Sequence, residues 1–222
     1  MITLFHNRSG SYIPLGGVYE VKNKSTTIKE ITAKVIRQSD NATLSLIWST
    51  FPSPICRRVA GNFETSFETA HPFKVEADTL APAFVEFVDK CANMDEVSNN
   101  ILYPVVCATM PIFSQPNATL PIVDGAVRAL PEYALAKIAL NDHFFWKADE
   151  YEMVITTIHS KGTFDKKYVF SLSDAESLRL RNNIDSVLIS HVANHFGIPV
   201  QMNTVATVYK GNIIKNLIMD CQ

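Results

Sequence analysis

The chain has 222 residues, of which 47% are hydrophobic and 10% aromatic, so it can bury a core and disorder is excluded as its main state. Its 20 basic and 22 acidic residues leave a net charge of −2. This balance argues against a dedicated nucleic-acid or anionic-membrane binder, because such proteins bind through clustered cations. Nucleic acid is therefore a partner that the composition does not favour.

Cysteine usage, the first residues and the apolar runs predict the compartment. The four cysteines form no CxxC motif and no zinc-finger spacing, so we expect reduced thiols and no disulfide framework. The first residues lack the basic and long apolar segments of a secretion signal. The longest apolar stretch, 101–113, contains two prolines and is too short to cross a bilayer. We therefore expect a cytoplasmic protein without a transmembrane segment.

The first third of the chain is predicted to be β structure. Gly16-Gly17 indicates a turn, and β-branched and aromatic residues follow it. Ser39-Asp40-Asn41 suits a hairpin turn between antiparallel strands at 26–38 and 42–50. The sequence Phe51-Pro52-Ser53-Pro54 should end this meander, because proline has no amide proton to donate to a ladder.

A first helix is predicted to begin near Asp78 or Thr79, either of which could cap it, and to continue to Cys91. Pro82 would lie in its first turn, where proline is tolerated. A second helix is predicted from Pro131 to about Asn141 on the same grounds.

The segment 104–131 contains five prolines, the last of which begins the second helix, so regular structure there should be short. The segment is also apolar, unlike a solvated linker, and we interpret it as a packed connection within one domain. Residues 104–131 are nevertheless the candidate place for a subdivision.

The last third begins with a predicted hairpin. Tyr151–His159 and Lys167–Leu172 are strand-like and flank a polar turn. Ser173-Asp174-Ala175-Glu176 then fits a capping box, and apolar residues follow it at helical spacing. Gly197 is a natural left-handed terminator for this helix.

A closing hairpin completes the prediction, with strands at 200–209 and 213–219 around Lys210-Gly211-Asn212. The fold class is therefore α+β: antiparallel hairpins and a meander with about three helices in a single compact domain, 1–222. A subdivision near 104–131 would separate a β-rich N-terminal part from a ββαββ C-terminal part.

Three residues are weak catalytic candidates. Cys56 stands beside two arginines, whose charges lower a thiol pKa, and His71 follows downstream. His143 lies among acidic residues and could take part in acid–base chemistry. The sequence contains no phosphate-binding glycine loop and no nucleophile elbow. An enzyme of hydrolase or nuclease type, with a site assembled from distant His, Asp, Glu and Cys residues, is therefore the alternative function.

His191 and His195 are weak metal-ligand candidates, because their i, i+4 spacing places two imidazoles on one helix face. The zinc-enzyme motif needs a glutamate directly after the first histidine, and Val192 occupies that position. No third ligand can be identified. We therefore predict no metal and no cofactor, and explain the pair by its place at a helix C-terminus, which favours imidazolium.

Two groups of residues are predicted to bind a partner. Phe144, Phe145 and Trp146 form a run of large aromatic side chains of the kind found at interfaces, although such residues are also typical of a core. A candidate basic patch for phosphate or an acidic partner consists of Lys166, Lys167, Arg179 and Arg181. A scattered, solvated surface is the alternative for these cations.

The hairpin, capped helix and closing hairpin of the last third resemble the layout of small viral matrix proteins, which form lattices under envelopes and are typically more basic than this chain. Size, composition and the lack of catalytic motifs would also suit a viral or phage capsid, matrix or accessory protein. We therefore predict a non-enzymatic structural or interaction protein that acts by self-association, as a homo-oligomer, or by docking to another protein.

Overall fold

The computed structural model describes residues 2–7, 10–59, 62–90, 97–111, 119–207 and 217–220. For residues 52–59, 62–67, 98 and 217–220 it describes the backbone. Most of the described residues belong to one large sheet, and a layer of helices packs at one side of it. A single apolar cluster includes buried side chains from both the strands and the helices.

Eleven strands form the sheet within the described ranges. They are β1 Ile2–Asn7, β2 Gly10–Lys22, β3 Thr26–Arg37, β4 Thr43–Val59, β5 Asn62–Thr69, β6 Phe73–Val75, β7 Leu80–Asp89, β8 Asp149–His159, β9 Gly162–Leu172, β10 Val205–Thr207 and β11 Leu217–Asp220. The main path is β10-β1-β2-β7-β4-β3-β8-β9, with β5 paired to β4, β6 to β3 and β11 to β2. All pairings are antiparallel except that of β11 with β2.

The sheet is strongly curled. The Tyr19 hydroxyl on β2 lies 3.3 Å from the Thr157 hydroxyl on β8, although three strands separate β2 from β8 along the path. At the open ends of the path, the Thr207 hydroxyl on β10 donates to the Ser171 carbonyl on β9 at 3.0 Å. The curl therefore brings the two outermost strands of the path into contact.

Gly16 and Gly17 lie inside β2, so the predicted turn at this pair is wrong. Both residues pair with β7, opposite Phe84 and Ala83. A Cβ atom at position 16 would lie 2.9 Å from Cε1 of Phe84, whose ring crosses over the backbone here. The glycine therefore serves a close approach between neighbours in the sheet.

The hairpin of β3 and β4 is confirmed, with Asn41 in a left-handed conformation in its turn. The predicted end of the second strand at Pro52 and Pro54 is wrong, because β4 continues to Val59. The β4–β5 pairing shifts register between Pro52 and Cys56. A bulge there accommodates residues that cannot donate to a regular ladder.

The helix predicted from Asp78 or Thr79 to Cys91 is wrong, because the described part of this stretch forms strand β7. Burial alternates from Leu80 to Val85 with a period of two, which is typical of a strand. Pro82 pairs with β2, and β4 pairs with residues 86–89 of β7, beyond the proline. Pro82 therefore interrupts no β4–β7 ladder, and Cys91 lies outside the described residues.

Five α-helices are described: α1 Tyr103–Thr109, α2 Leu120–Arg128, α3 Pro131–Asp142, α4 Asp174–Arg181 and α5 Asn183–Ala193. A π-helical stretch, Val97–Leu102, precedes α1. The predicted helix from Pro131 is confirmed as α3. Helices α1 and α2 lie in the proline-rich segment, and each begins with a proline in its first turn, where no donor is lost. Helix α5 contacts the other four helices and β1.

The predicted hairpin of the last third is confirmed as β8 and β9, which pair along their whole length. The capping box is also confirmed: the Ser173 hydroxyl accepts from the Glu176 amide, and the Glu176 carboxylate accepts from the Ser173 amide. The helix that follows is divided at Asn182 into α4 and α5. Gly197 has a φ of 68°, as expected for a left-handed terminator.

The predicted closing hairpin is wrong in its pairing. β10 pairs with β1, and β11 pairs in parallel with β2. The turn at 210–212 lies outside the described residues. The mixed α+β class and the antiparallel hairpins are confirmed, whereas the single domain and its candidate subdivision near 104–131 stay predictions.

Candidate interaction surfaces

The aromatic run after α3 lies in the core, which is the alternative that the sequence left open beside a partner-binding role. Phe144 and Trp146 are buried and Phe145 is half-buried. The Trp146 ring packs against Tyr151 and Phe170, with centroids 5.5 Å and 6.4 Å away. The sequence could not distinguish these cases, because large aromatic side chains serve cores and interfaces equally well.

The four predicted cations do not form a single patch. Lys166 and Lys167 are consecutive on β9 and therefore point to opposite faces. Lys166 lines a small cavity inside the curled sheet, whereas the Lys167 ammonium pairs with Glu152 at 3.1 Å on the outside. Arg181 lies over the Phe144 ring, 5.1 Å from its centroid. Arg179 is exposed on α4.

The three catalytic candidates lie on separate elements. His71 is exposed between β5 and β6, where its Nδ1 is 3.0 Å from the Thr69 carbonyl and its ring contacts Phe51. His143 is exposed at the C-terminus of α3. Cys56 lies in β4, and its side chain is outside the description. No contact between these residues is seen in the described part of the chain, so the enzyme hypothesis gains no support from them.

The His191 and His195 rings lie at the end of α5 and in the 3₁₀ turn after it, with centroids 6.2 Å apart and planes at 86°. Among the residues that the structure describes, no group of three or more His, Cys, Asp or Glu is close enough to hold a metal ion. The pair therefore has no third protein ligand within those residues.

A surface that the sequence analysis missed lies on α1, α2 and α3. We define the helical apolar face as five large side chains, each more than half exposed, on these helices and at the C-cap of α1: Tyr103, Met110, Ile122, Leu135 and Ile138. Leu135 is 68% exposed, Ile138 61% and Tyr103 60%. The three helices contact one another and all pack on α5. Large exposed apolar side chains on neighbouring helices are typical of an interaction site.

The helical apolar face contains little charge. The segment 97–111, which includes α1, has no charged residue, and its exposed positions include Pro104, Cys107 and Pro111. Four charged residues on α2, α3 and α5 are paired with one another. Asp185 on α5 accepts from the Lys137 ammonium at 2.7 Å and lies 3.5 Å from Arg128, which also pairs with Asp124 at 2.8 Å.

A sequence signal for this face existed. The residues 101–113 are the longest apolar stretch, and Tyr103, Cys107 and Met110 follow helical spacing. The prolines of this segment indicate short regular structure, and its apolar residues favour a packed connection. Proline in the first turn of a helix is compatible with α1 and α2, so the same residues form helices with one apolar side exposed.

A second surface feature is a concavity on the outer side of the sheet, with a volume of about 510 Å³. Its lining includes Phe5 on β1, Tyr12 on β2, Thr50 on β4, Glu86 on β7 and Met202. The Glu86 carboxylate accepts hydrogen bonds from the Tyr12 hydroxyl and, at 2.6 Å, from the Thr50 hydroxyl. Only 8% of Glu86 is exposed, and burial raises the pKa of its carboxyl group.

Comparison with known proteins gives no relative for this chain: no family model, curated protein or solved structure matches it. None of the helices in the described ranges is long and apolar enough to cross a membrane.

Proposed function

We propose that this protein is a non-enzymatic structural or interaction protein that self-associates through the helical apolar face. The observation that carries this proposal is the exposure of Tyr103, Leu135 and Ile138, each more than half exposed, on helices that contact one another. Exposed apolar surface of this kind is costly in water, and a protein partner that covers it recovers the hydrophobic free energy.

A second copy of this chain is the partner that the charges favour. In a two-fold symmetric contact each residue meets the same surface of the other copy, so a charged face would repel itself. The segment 97–111 has no charge, and Lys137 and Arg128 already pair with acidic residues of the same chain. The net charge of −2 adds little repulsion between copies.

The test is the mass in solution, measured by sedimentation velocity and light scattering across a wide range of protein concentration. We expect the mass of the wild-type chain to rise with concentration. The double variant Leu135→Gln/Ile138→Gln should weaken the association at least about tenfold, because it places two polar amides in the interface without removing a buried contact.

Matched controls come from equally exposed apolar residues outside the face. Leu80 on β7 is 62% exposed and Leu178 on α4 is 57% exposed, so Leu80→Gln and Leu178→Gln should leave the association unchanged. Circular dichroism confirms that each variant folds. A wild-type chain that stays monomeric at the highest concentration contradicts the proposal, as does equal weakening by the controls.

A membrane surface is the competing occupant of an apolar helical face. Flotation with neutral phosphatidylcholine vesicles separates the two cases. If the wild-type chain is monomeric and floats with the vesicles, and the double variant does not float, the face binds lipid and the self-association proposal is wrong. The viral or phage origin stays a prediction in either case.

A further inference from the structure

The Glu86 carboxylate is nearly buried without a cation beside it. Its two oxygen atoms accept from Tyr12 and Thr50, both of which are uncharged donors. Within the described residues no Lys, Arg or His forms an ion pair with it, and burial is the only cause of the shift in its pKa. A buried carboxylate without a countercharge is costly, so such groups are usually paired.

His6 also borders this concavity, but it does not supply the missing charge. Burial lowers the pKa of His6 to about 4, so its imidazole is neutral near pH 7. Its ring packs in the core against Phe144, at 5.0 Å between centroids. Glu86 is therefore the acidic group of the lining, and no described cation neutralises it.

The remaining lining suits an organic cation. The rings of Phe5 and Tyr12 meet edge to face with centroids 5.1 Å apart, and Met202 adds a further apolar contact. Aromatic rings attract an ammonium group through their negative faces, and apolar side chains accept its alkyl chain. The Tyr12 hydroxyl donates to Glu86, which places aromatic and carboxylate groups side by side.

We propose that the concavity formed by Phe5, Tyr12, Thr50, Glu86 and Met202 binds a primary alkylammonium group, with Glu86 as the countercharge. The volume of about 510 Å³ admits an alkyl chain of several carbons as well as the ammonium head. The group can come from a small amine or from a lysine side chain of another protein, because both present the same chemistry. This proposal does not depend on self-association through the helical apolar face.

The test is a titration of the full chain with n-butylammonium, followed by NMR chemical shifts and by calorimetry. We expect saturable shifts at Tyr12, Thr50 and Glu86. Uncharged n-butanol, which has nearly the same alkyl chain, should bind at least about tenfold more weakly, because it lacks the ion pair. Equal binding of n-butanol and n-butylammonium overturns the proposal.

The informative variant is Glu86→Gln, which removes the charge but keeps one acceptor oxygen and replaces the other with an amide that can donate to a hydroxyl. It should weaken n-butylammonium binding at least about tenfold while the chain stays folded. The matched control is Glu76→Gln, because Glu76 is an exposed carboxylate that pairs with Lys74 and hydrogen-bonds to Ser25, away from the concavity. Loss of binding in both variants, or in neither, contradicts the proposed role of Glu86.

A second ligand and a second variant identify the source of the cation. Nα-acetyl-lysine methylamide that binds more tightly than n-butylammonium indicates a lysine from a protein, whereas the reverse order indicates a small amine. Asn7 lines the concavity, and Arg8, which follows it, is the arginine nearest to this lining in the sequence. If n-butylammonium binds only to the Arg8→Gln variant, the chain itself provides the cation and the proposal is wrong.

Discussion

His6 and Asn183 are polar residues inside the core, and they differ in whether their polar atoms form hydrogen bonds. The Asn183 side chain donates to the His6 and Asn203 carbonyls, at 3.0 Å and 2.8 Å, and accepts from the Asn203 amide at 2.7 Å. The Nδ1 atom of the His6 imidazole has no partner within the described residues. A buried amide with its bonds made stabilises the fold, whereas a buried imidazole is tolerated in its neutral form.

Acidification should therefore destabilise the protein through His6. Burial lowers the pKa of His6 from 6.5 to about 4, so the unfolded chain binds a proton before the folded chain does. The stabilisation is complete above about pH 6.5 and is lost as the pH falls toward about 4, a change on the order of 3 kcal/mol. Urea unfolding at several pH values measures it.

The variant His6→Leu isolates this contribution, because leucine is apolar and has no proton to bind. The free energy of unfolding of the wild-type chain should fall more steeply between pH 7 and pH 4 than that of the variant. Glu86 is present in both chains, and its raised pKa acts in the opposite direction, so it cancels in the difference. Parallel pH curves for the two chains contradict the prediction.

The helix starts show which local signals determine an element. The Ser173 side chain caps α4, and the Glu176 side chain accepts a hydrogen bond from the Ser173 amide. Thr119 occupies the same position before α2, but its side chain makes no capping bond. The two positions are therefore a matched pair in which only one has a cap.

Ser173→Ala should lower the free energy of unfolding by about 1 kcal/mol, because it leaves an amide at the start of α4 without its partner. Thr119→Ala should change it by less than about half that amount, since no capping bond is lost. Thermal or urea unfolding of both variants checks the difference. Equal effects at the two positions would show that the capping box has no role in stability.

The elements predicted correctly are those with complete local signals. The β8–β9 hairpin and the capped helix α4 each combine a turn or cap with the right hydrophobic period, and helix α3 begins with a proline in its first turn. At strand β7 the sequence indicates a helix, because a cap-like residue and a proline precede an apolar run. Its partners, β2 and β4, are distant in sequence, and that pairing is what determines a strand here.

The candidate surfaces could not be predicted from the sequence either, because they also depend on contacts between elements that are distant in the chain. Glu86 and Tyr12 are 74 residues apart in the sequence and meet only because β2 and β7 are neighbours. The helical apolar face required knowing which side of α1, α2 and α3 packs on α5. Sequence spacing identifies an apolar side but does not tell whether another element covers it.

At the scale of the whole molecule, the contact between β10 and β9 holds the ends of the curled sheet together. Thr207 is buried, and its hydroxyl bond to the Ser171 carbonyl is a side-chain contact beyond the backbone ladders of the path. Thr207→Val keeps the shape of the side chain and removes the bond, and should lower the free energy of unfolding by about 1 kcal/mol.

The control is Thr204→Val, at an exposed position just before β10, which should change stability by no more than about 0.5 kcal/mol. Urea unfolding of both variants measures the difference. A fully stable Thr207→Val variant would mean that the outer strands do not need this bond to stay together.

The pairing of β1 with β10 sets an order for the assembly of this protein on the ribosome. Phe5 and His6 pair with β2 a few residues later, but Ile2 and Leu4 pair with Thr207 and Val205, about 200 residues further along. A nascent chain must therefore keep the first half of β1 unpaired until almost all the described residues have emerged. Such a distant partner favours slow completion of the sheet and leaves an apolar edge that a chaperone can shield.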